Sequence, residues 1–412
     1  SVGSPSRPDF TYTALVSALT AAGHQVTQAH RQTDSSPGVT NNFDFATSVD
    51  LLDFDVLWLI GNDGRNVSSG SSTPVLPAAE VAAIAQFMEA GGGVFATGDH
   101  DSIGSVMCGR IPRVRSMRRW YGAGDNIPER TPGIPDNFPP LGTTRSDTTQ
   151  SSSLSDYDYD NNGTDDPIVW FENQSDATPQ TIMPLPVPPS MTTHPILRHN
   201  GSDITIFPDH MHEGDTIDVI GGYDYGQTIS FDLGGGDVRN FVEYPVIDGH
   251  HELPNVIATG QTVQRSSRYG YNNTSLDTAV PESKSVNLLS TYDGREAGVG
   301  RVVTGSTFHH YVDINLTGDS RINTADALAR VGEDAAKNHG FAHPGAEATF
   351  NTVKAMFANI ASWLARPRPT IQLVLERSTF SEAEADANPD FDGAFLVIVD
   401  GLKPNQFPGG GI

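Results

Sequence analysis

Histidines and carboxylates gather at three points of the chain, each directly after a short apolar run that reads as a strand: Gly98-Asp99-His100-Asp101, Asp209-His210-Met211-His212-Glu213 and His309-His310-Tyr311-Val312-Asp313. In a parallel α/β sheet the carboxyl ends of the strands share one edge, and ligands bind in the crevice there. Imidazole nitrogens and carboxylate oxygens on one edge suit a divalent metal such as zinc, or a general acid/base pair, better than they suit a packed core. An enzyme is the leading expectation. His210 and His212 are separated by one residue, so on an extended segment they point to one side and can ligate one ion. Asp209 and Glu213 can complete a three- or four-ligand set with His100, Asp99 is a further candidate ligand, and Asp101 or Glu213 is placed to activate water. The plainer alternatives are a loop histidine capping the next turn, for His100, and a solvated polar loop, for residues 209 to 213. His309 and His310 cannot both face inward on a strand, because successive side chains alternate. Either is a catalytic candidate, with Asp313 as the carboxylate that orients the inward one.

Two further patterns carry chemistry. Asp158, Asp160, Asn162 and Asp166 place oxygen ligands at positions 1, 3, 5 and 9 of a loop with Gly163 at 6, like the start of a calcium loop. The glutamate expected at position 12 is Val169, so a calcium site and a solvated acidic turn both stay open. Arg110, Arg113, Arg115, Arg118 and Arg119, interleaved with Met117, Trp120 and Tyr121, form the basic cluster of an acidic chain. Near His100 in sequence, Arg113, Arg115 and Arg118 can clamp a substrate carboxylate or phosphate, or pair with the chain's own acids.

Composition limits the partners. Lys plus Arg is 25 against 50 for Asp plus Glu, a net charge of −25, which makes nucleic acid a poor partner. Across 412 residues no run approaches the roughly 18 apolar residues of a membrane span. One cysteine, Cys108, excludes an intrachain disulfide framework and a cysteine-based zinc finger, and reads as a small buried hydrophobe. The Asn-x-Ser/Thr triplets, from Asn66 to Asn315, are expected by chance in a chain this rich in Ser, Thr and Asn. Ser1 stands where a start Met would, with no signal-peptide pattern, which reads as a processed or trimmed terminus and leaves the compartment open.

The positioning elements follow from spacing. Tyr12, Leu15, Val16 and Leu19 predict a helix over about 9 to 22, closed by Gly23, and a strand around Gln25 to Ala29. The run Asp55 to Ile60 predicts a strand buried on both faces, and Val81, Ile84, Ala85 and Met88 a helix after Pro77 that stops at Gly91-Gly92-Gly93. Val94 to Thr97 is the next strand, and the alternation predicts βαβ units in a mostly parallel sheet. Residues from about 110 to 190 read as a loop-rich insertion that packs over the sheet edge. Further strands are expected at Ile204 to Phe207, Ile217 to Ile220, Val256 to Ala258 and Arg301 to Thr304. Phe350, Val353, Phe357, Ile360 and Leu364 mark a long helix ending before Pro367. Residues 1–366 then make one α/β domain. Residues 367–412, with strand-like runs at Ile371 to Leu375 and Ala394 to Val399, make a small β appendage.

The glycine stop Gly91-Gly92-Gly93 before a strand leading to His100, the triplet His194-Pro195-Ile196, and Gly300-Arg301-Val302 running into His309-His310 together resemble the ThuA-like (trehalose utilisation) family of the class I glutamine-amidotransferase-like superfamily. That resemblance implies a flavodoxin-like α/β fold, mostly parallel with helices on both faces, and a carbohydrate-type small-molecule substrate. It favours the cytoplasm without excluding secretion. It departs from the pattern at the start, where such domains carry a strand before the first helix, and at Ala96 to Asp101, where the amidotransferase cysteine is absent; cysteine-dependent glutamine amide transfer is thereby excluded. The leading expectation is a metal-assisted hydrolase or lyase. Its rival is a non-catalytic sugar-binding or self-assembling protein, a homo-oligomer built through the insertion and the appended strands.

Overall fold

The computed structural model describes residues 11–31, 38–61, 76–98, 104–120, 179–208, 216–261, 285–318 and 339–366. The chain divides into a unit Ser1–Arg366, which holds all of these, and a unit Pro367–Ile412, so the two strand-like runs of the appendage lie outside the described residues.

The expected strand at Gln25 to Ala29 is the short run Gln28–Ala29, paired in parallel with Val39–Thr40 outside the main sheet, whose own strands begin with β1 (Val56–Ile60) and β2 (Gly93–Thr97), joined through helix α2 (Ala78–Glu89). Pro77 opens α2 and Gly91, at φ +85°, ends it, a conformation that costs a residue without a Cβ nothing. Strand β2 is buried at all five positions, which is why its sequence carries no alternation. Val94 and Ala96 face Val81, Ile84 and Met88 of α2, and Phe95 faces the other layer. That layer is built by α1 (Thr13–Ala21) and the long C-terminal helix, whose stripe of Val353, Phe357, Ile360 and Leu364 is buried as its spacing requires.

Beyond β2 the chain forms β3 (Gln180–Pro184), β4 (Ile206–Phe207), the hairpin β5 (Thr228–Asp232) and β6 (Val238–Val242), then β7 (Asn255–Gln261), β8 (Ser285–Tyr292) and β9 (Val302–Gly305). The main sheet has the order β4-β3-β7-β8-β9-β2-β1. Only β1–β2 and β2–β9 are parallel; the pairings β3–β4, β3–β7, β7–β8 and β8–β9 are antiparallel. The expected flavodoxin-like, mostly parallel sheet with helices on both faces is therefore corrected to a mixed, mostly antiparallel sheet curled into a half-barrel, with few helices. The physical reason lies in the connections. A parallel neighbour needs a crossover of a dozen or more residues, usually a helix, and among the described residues α2 is the helix that makes one between adjacent strands.

Local readings change with it. The run Ile217 to Ile220 is not a strand: Thr216 makes a single bridge to Arg118, while Ile217 and Ile220 sit in the core. Both ends of the expected insertion belong to the domain body, since Ile111, Val114, Met117 and Trp120 are core residues and β3 is a sheet strand. The central strand β8 has no counterpart among the expected ones. Among the described residues no helix is long and apolar enough to cross a membrane.

Candidate functional site at the carboxyl edge of the parallel strands

The three clusters are reached through residues that meet at one edge. After β9 the chain turns through Ser306 and Thr307 into a 3-10 turn, Phe308–His310, in which the Thr307 hydroxyl accepts the His309 N–H at 3.2 Å. The Phe308 N–H donates to the Gly98 carbonyl at 2.7 Å, which ties the turn to the residue preceding Asp99. The His310 ring meets the Phe207 ring edge-on at 4.7 Å, two residues before Asp209. The start of each acidic-histidine segment thus abuts the histidine turn. Asp99, His100, Asp101, Asp209, His210, His212 and Glu213 themselves lie outside the described residues, as do Asp158, Asp160, Asn162 and Asp166 of the expected calcium loop. Among the described residues no group of three or more His, Cys, Asp or Glu is placed to hold a metal ion.

His309 and His310 sit on this turn and not on a strand, so the expected alternation does not govern them, and both are buried. Asn315 orders the first. Its amide nitrogen donates to the His309 carbonyl at 3.1 Å and lies 3.2 Å from Nδ1, which fixes the plane of the imidazole. Asn315 had no signal in the sequence beyond its distance of six residues from His309. Asp313 does not orient either histidine: it opens α4 (Asp313–Leu316), and its carboxylate accepts the Thr11 hydroxyl and the N–H groups of Thr13 and Ala14, at 2.8 and 2.9 Å.

The edge is narrow because three glycines pack there without side chains between them. A Cβ on Gly61 would lie 2.4 Å from the Gly104 Cα, and one on Gly104 would lie 2.8 Å from the Gly98 Cα. Gly104, at φ +97°, begins the one-turn helix α3 (Ser105–Cys108). Gly98, just after β2, and Gly104, just before α3, are therefore in backbone contact.

The arginine cluster turns inward. Arg113 Nη2 bonds Glu89 at 2.9 Å, and Arg115 Nε bonds the fully buried Glu243 at 3.0 Å. Arg118 donates to backbone carbonyls at the end of β9. These three expected substrate contacts are buried groups engaged by the protein itself, which matches the alternative of pairing with the chain's own acids for Arg113 and Arg115.

Cys108 is fully buried, and burial pushes its thiol up to about 12 against the opposing pull of Arg118. A thiol in that state is neither nucleophile nor metal ligand. Native protein at pH 8 is expected to release no colour from a disulfide reagent until denaturant is added; stoichiometric labelling within minutes in buffer would contradict this placement.

The remaining motif residues behind the family resemblance, His194 and Arg301 with the glycine turns Gly92 and Gly300, lie at the opposite end of the sheet from His309 and His310. His194 accepts the Ile196 N–H through Nδ1 at 3.3 Å and meets Trp363 edge-on at 4.8 Å, while the Arg301 guanidinium covers the same indole at 4.2 Å and bonds Asp293 at 2.6 Å. Burial lowers the His194 pKa to about 4, with Asp293 pulling the other way. The unfolded chain then binds the proton more readily than the fold. Stability is expected to be fully present above about 6.5 and to fall as pH drops toward about 4. His194→Asn should flatten that segment of a denaturation-versus-pH curve, and an unchanged slope would contradict it.

Compared with protein-family models, with curated proteins and with solved structures, the chain has no match.

Proposed function

We propose that the chain is an enzyme, a metal-assisted hydrolase or lyase whose centre lies at the carboxyl edge of β2 and β9. The observation that carries this reading is the convergence of flanks on one turn: Gly98 bonded to Phe308, and Phe207 packed on His310. Segments leaving from those points carry His100, His210 and His212 with Asp99 and Asp209, a donor set of nitrogen and oxygen atoms suited to zinc or a similar divalent ion. Such an ion would supply activation of a bound water near neutral pH, with Asp101 or Glu213 as the base and the His309 ring facing the same edge. The carbohydrate-type substrate rests on the ThuA-like resemblance alone.

The test uses untagged full-length protein. About one equivalent of zinc, manganese or nickel is expected by elemental analysis or on titration, with turnover on a panel of sugar lactones and esters. His100→Ala and His210→Ala should each abolish most uptake. Bound ion stabilises the fold by about 2.7 kcal/mol at a hundredfold excess over its dissociation constant, so chelator should lower the melting temperature of the parent and of neither variant. No uptake by the parent, together with no turnover with or without added metal, would overturn the proposal.

A further inference from the structure

We infer that Arg118 is a positioning residue that ties all three site segments into one edge; this rests on the reading of that edge as the active centre. Its side chain is fully buried and donates to main-chain carbonyls: Nε reaches Gly305 at 3.0 Å and Ser306 at 3.2 Å, Nη2 reaches Ser306 at 2.6 Å, and Nη1 reaches Arg119 at 2.9 Å. The two residues so held lead directly into the histidine turn. Trp120 covers the guanidinium at 4.5 Å, and its ring is what a Cβ on Gly104 would meet at 3.0 Å, so the same unit abuts the point where the Asp99–Ile103 segment returns. The backbone of Arg118 forms the isolated antiparallel bridge to Thr216, where the chain returns from the Asp209–Asp215 segment.

Neighbouring bonds fix this bridge from both sides. The Ile217 N–H donates to the Met117 carbonyl at 2.8 Å, the Thr304 hydroxyl donates to that carbonyl at 2.9 Å, and Asn287 donates from its amide to the Thr216 carbonyl at 3.0 Å. Arg118 and its bridge therefore touch the exit of the second segment and the entrance of the third, and the Trp120 ring stacked on its guanidinium abuts the exit of the first. A guanidinium suits the task because its rigid fork addresses several carbonyls at once, whereas an ammonium is a single point of charge on a flexible stem. Arg113 and Arg115 are engaged elsewhere, with Glu89 and Glu243, and Arg110 donates to the Leu76 carbonyl at 3.0 Å.

The decisive experiment is native-state hydrogen exchange by mass spectrometry on full-length parent, Arg118→Lys and Arg115→Lys. In Arg118→Lys, amides of 304–311, 216–218 and 104–109 are expected to lose protection together, by about tenfold or more, while the β5–β6 hairpin keeps its own. Arg115→Lys should do the reverse, loosening the hairpin and sparing the three segments. Uniform loss everywhere in Arg118→Lys, or no loss at the three segments, would overturn the inference. If Arg118→Lys does not fold, Trp120→Phe carries the same comparison. Cobalt(II) titration supplies a second readout, with a visible spectrum that shifts or weakens in Arg118→Lys and not in Arg115→Lys. A parent that binds no cobalt sinks the metal reading of the site, and the exchange pattern still decides the role of Arg118.

Discussion

Glu243→Ala is expected to lower the stability of the domain by about 3–5 kcal/mol, the scale of breaking a buried ion pair by removing one partner. Glu243 is fully buried and receives three donors: Arg115 Nε at 3.0 Å, the Ser116 hydroxyl at 2.8 Å and the Tyr223 hydroxyl at 3.0 Å. Tyr244 joins through Ser116, at 2.9 Å. Burial, with the Glu243 charge adding to it, holds both phenols well above their usual pKa, so they stay protonated. Alanine would leave a buried guanidinium without its carboxylate and two hydroxyls without their acceptor. Removing both charges together is a different perturbation: Arg115→Met with Glu243→Leu should recover to within about 1–2 kcal/mol of the parent, since an apolar pair of similar volume avoids the desolvation cost. Denaturant unfolding followed by tryptophan fluorescence measures both. A single variant within about 1 kcal/mol of the parent would mean that the pair contributes little.

A methyl group at Gly300 is expected to do comparable damage, about 3 kcal/mol or more, by overpacking against main chain. The added Cβ would lie 1.8 Å from the Gly92 carbonyl oxygen, and backbone cannot swing aside as a side-chain tip can. The same contact is braced by the Gly300 N–H, which donates to the Met88 carbonyl at 2.7 Å, so the turn before β9 is seated on the turn after α2. Gly221 is the control. Its Cβ would meet nothing within 4 Å and its backbone lies in ordinary conformational space, so Gly221→Ala should be neutral or stabilise by up to about 1 kcal/mol through the unfolded chain. Equal effects at the two sites would contradict the packing described between β9 and α2.

This contrast explains why the motif glycines were visible in the sequence while the sheet they serve was not. Gly92 and Gly300 mark a close approach that any parallel β2–β9 pair needs, and such an approach says nothing about the strands beyond β9. The periodic stripes of α2 and the C-terminal helix were legible because a helix writes its buried face into a local repeat. The runs Val56 to Ile60 and Val94 to Thr97 were legible because burial on both faces removes polar residues altogether. Strand β8 was missed because Ser-Val-Asn-Leu-Leu-Ser-Thr-Tyr places polar residues that bond inward: Asn287 to the Thr216 carbonyl, Ser290 to the Ile217 carbonyl. Strand direction was misread because it depends on connections and not on residue type. At the site, the grouping of His309-His310 with the residues before Asp99 and Asp209 follows from strand ends sharing an edge. The 3-10 geometry, set by the Thr307 cap, and the diversion of Asp313 to a distant helix depend on contacts that no local pattern records.

That diversion sets an order of events during synthesis. Helix α1 has no side-chain cap of its own, and the carboxylate that serves it lies about 300 residues downstream. Its nine residues are too few to hold helical shape alone in water, where about 12–15 are marginal. At roughly 5–20 residues per second, a ribosome takes on the order of tens of seconds to deliver Asp313 and the C-terminal helix against which α1 packs. Throughout that interval Leu15, Ala18 and Leu19 lack Val353, Phe357 and Ile360, the residues of the long last helix that share their cluster. The closing step of this domain therefore seats Asp313 and the helix Glu347–Leu364 on α1, and a nascent chain stopped short of residue 313 presents the α1 segment to chaperones and proteases without either.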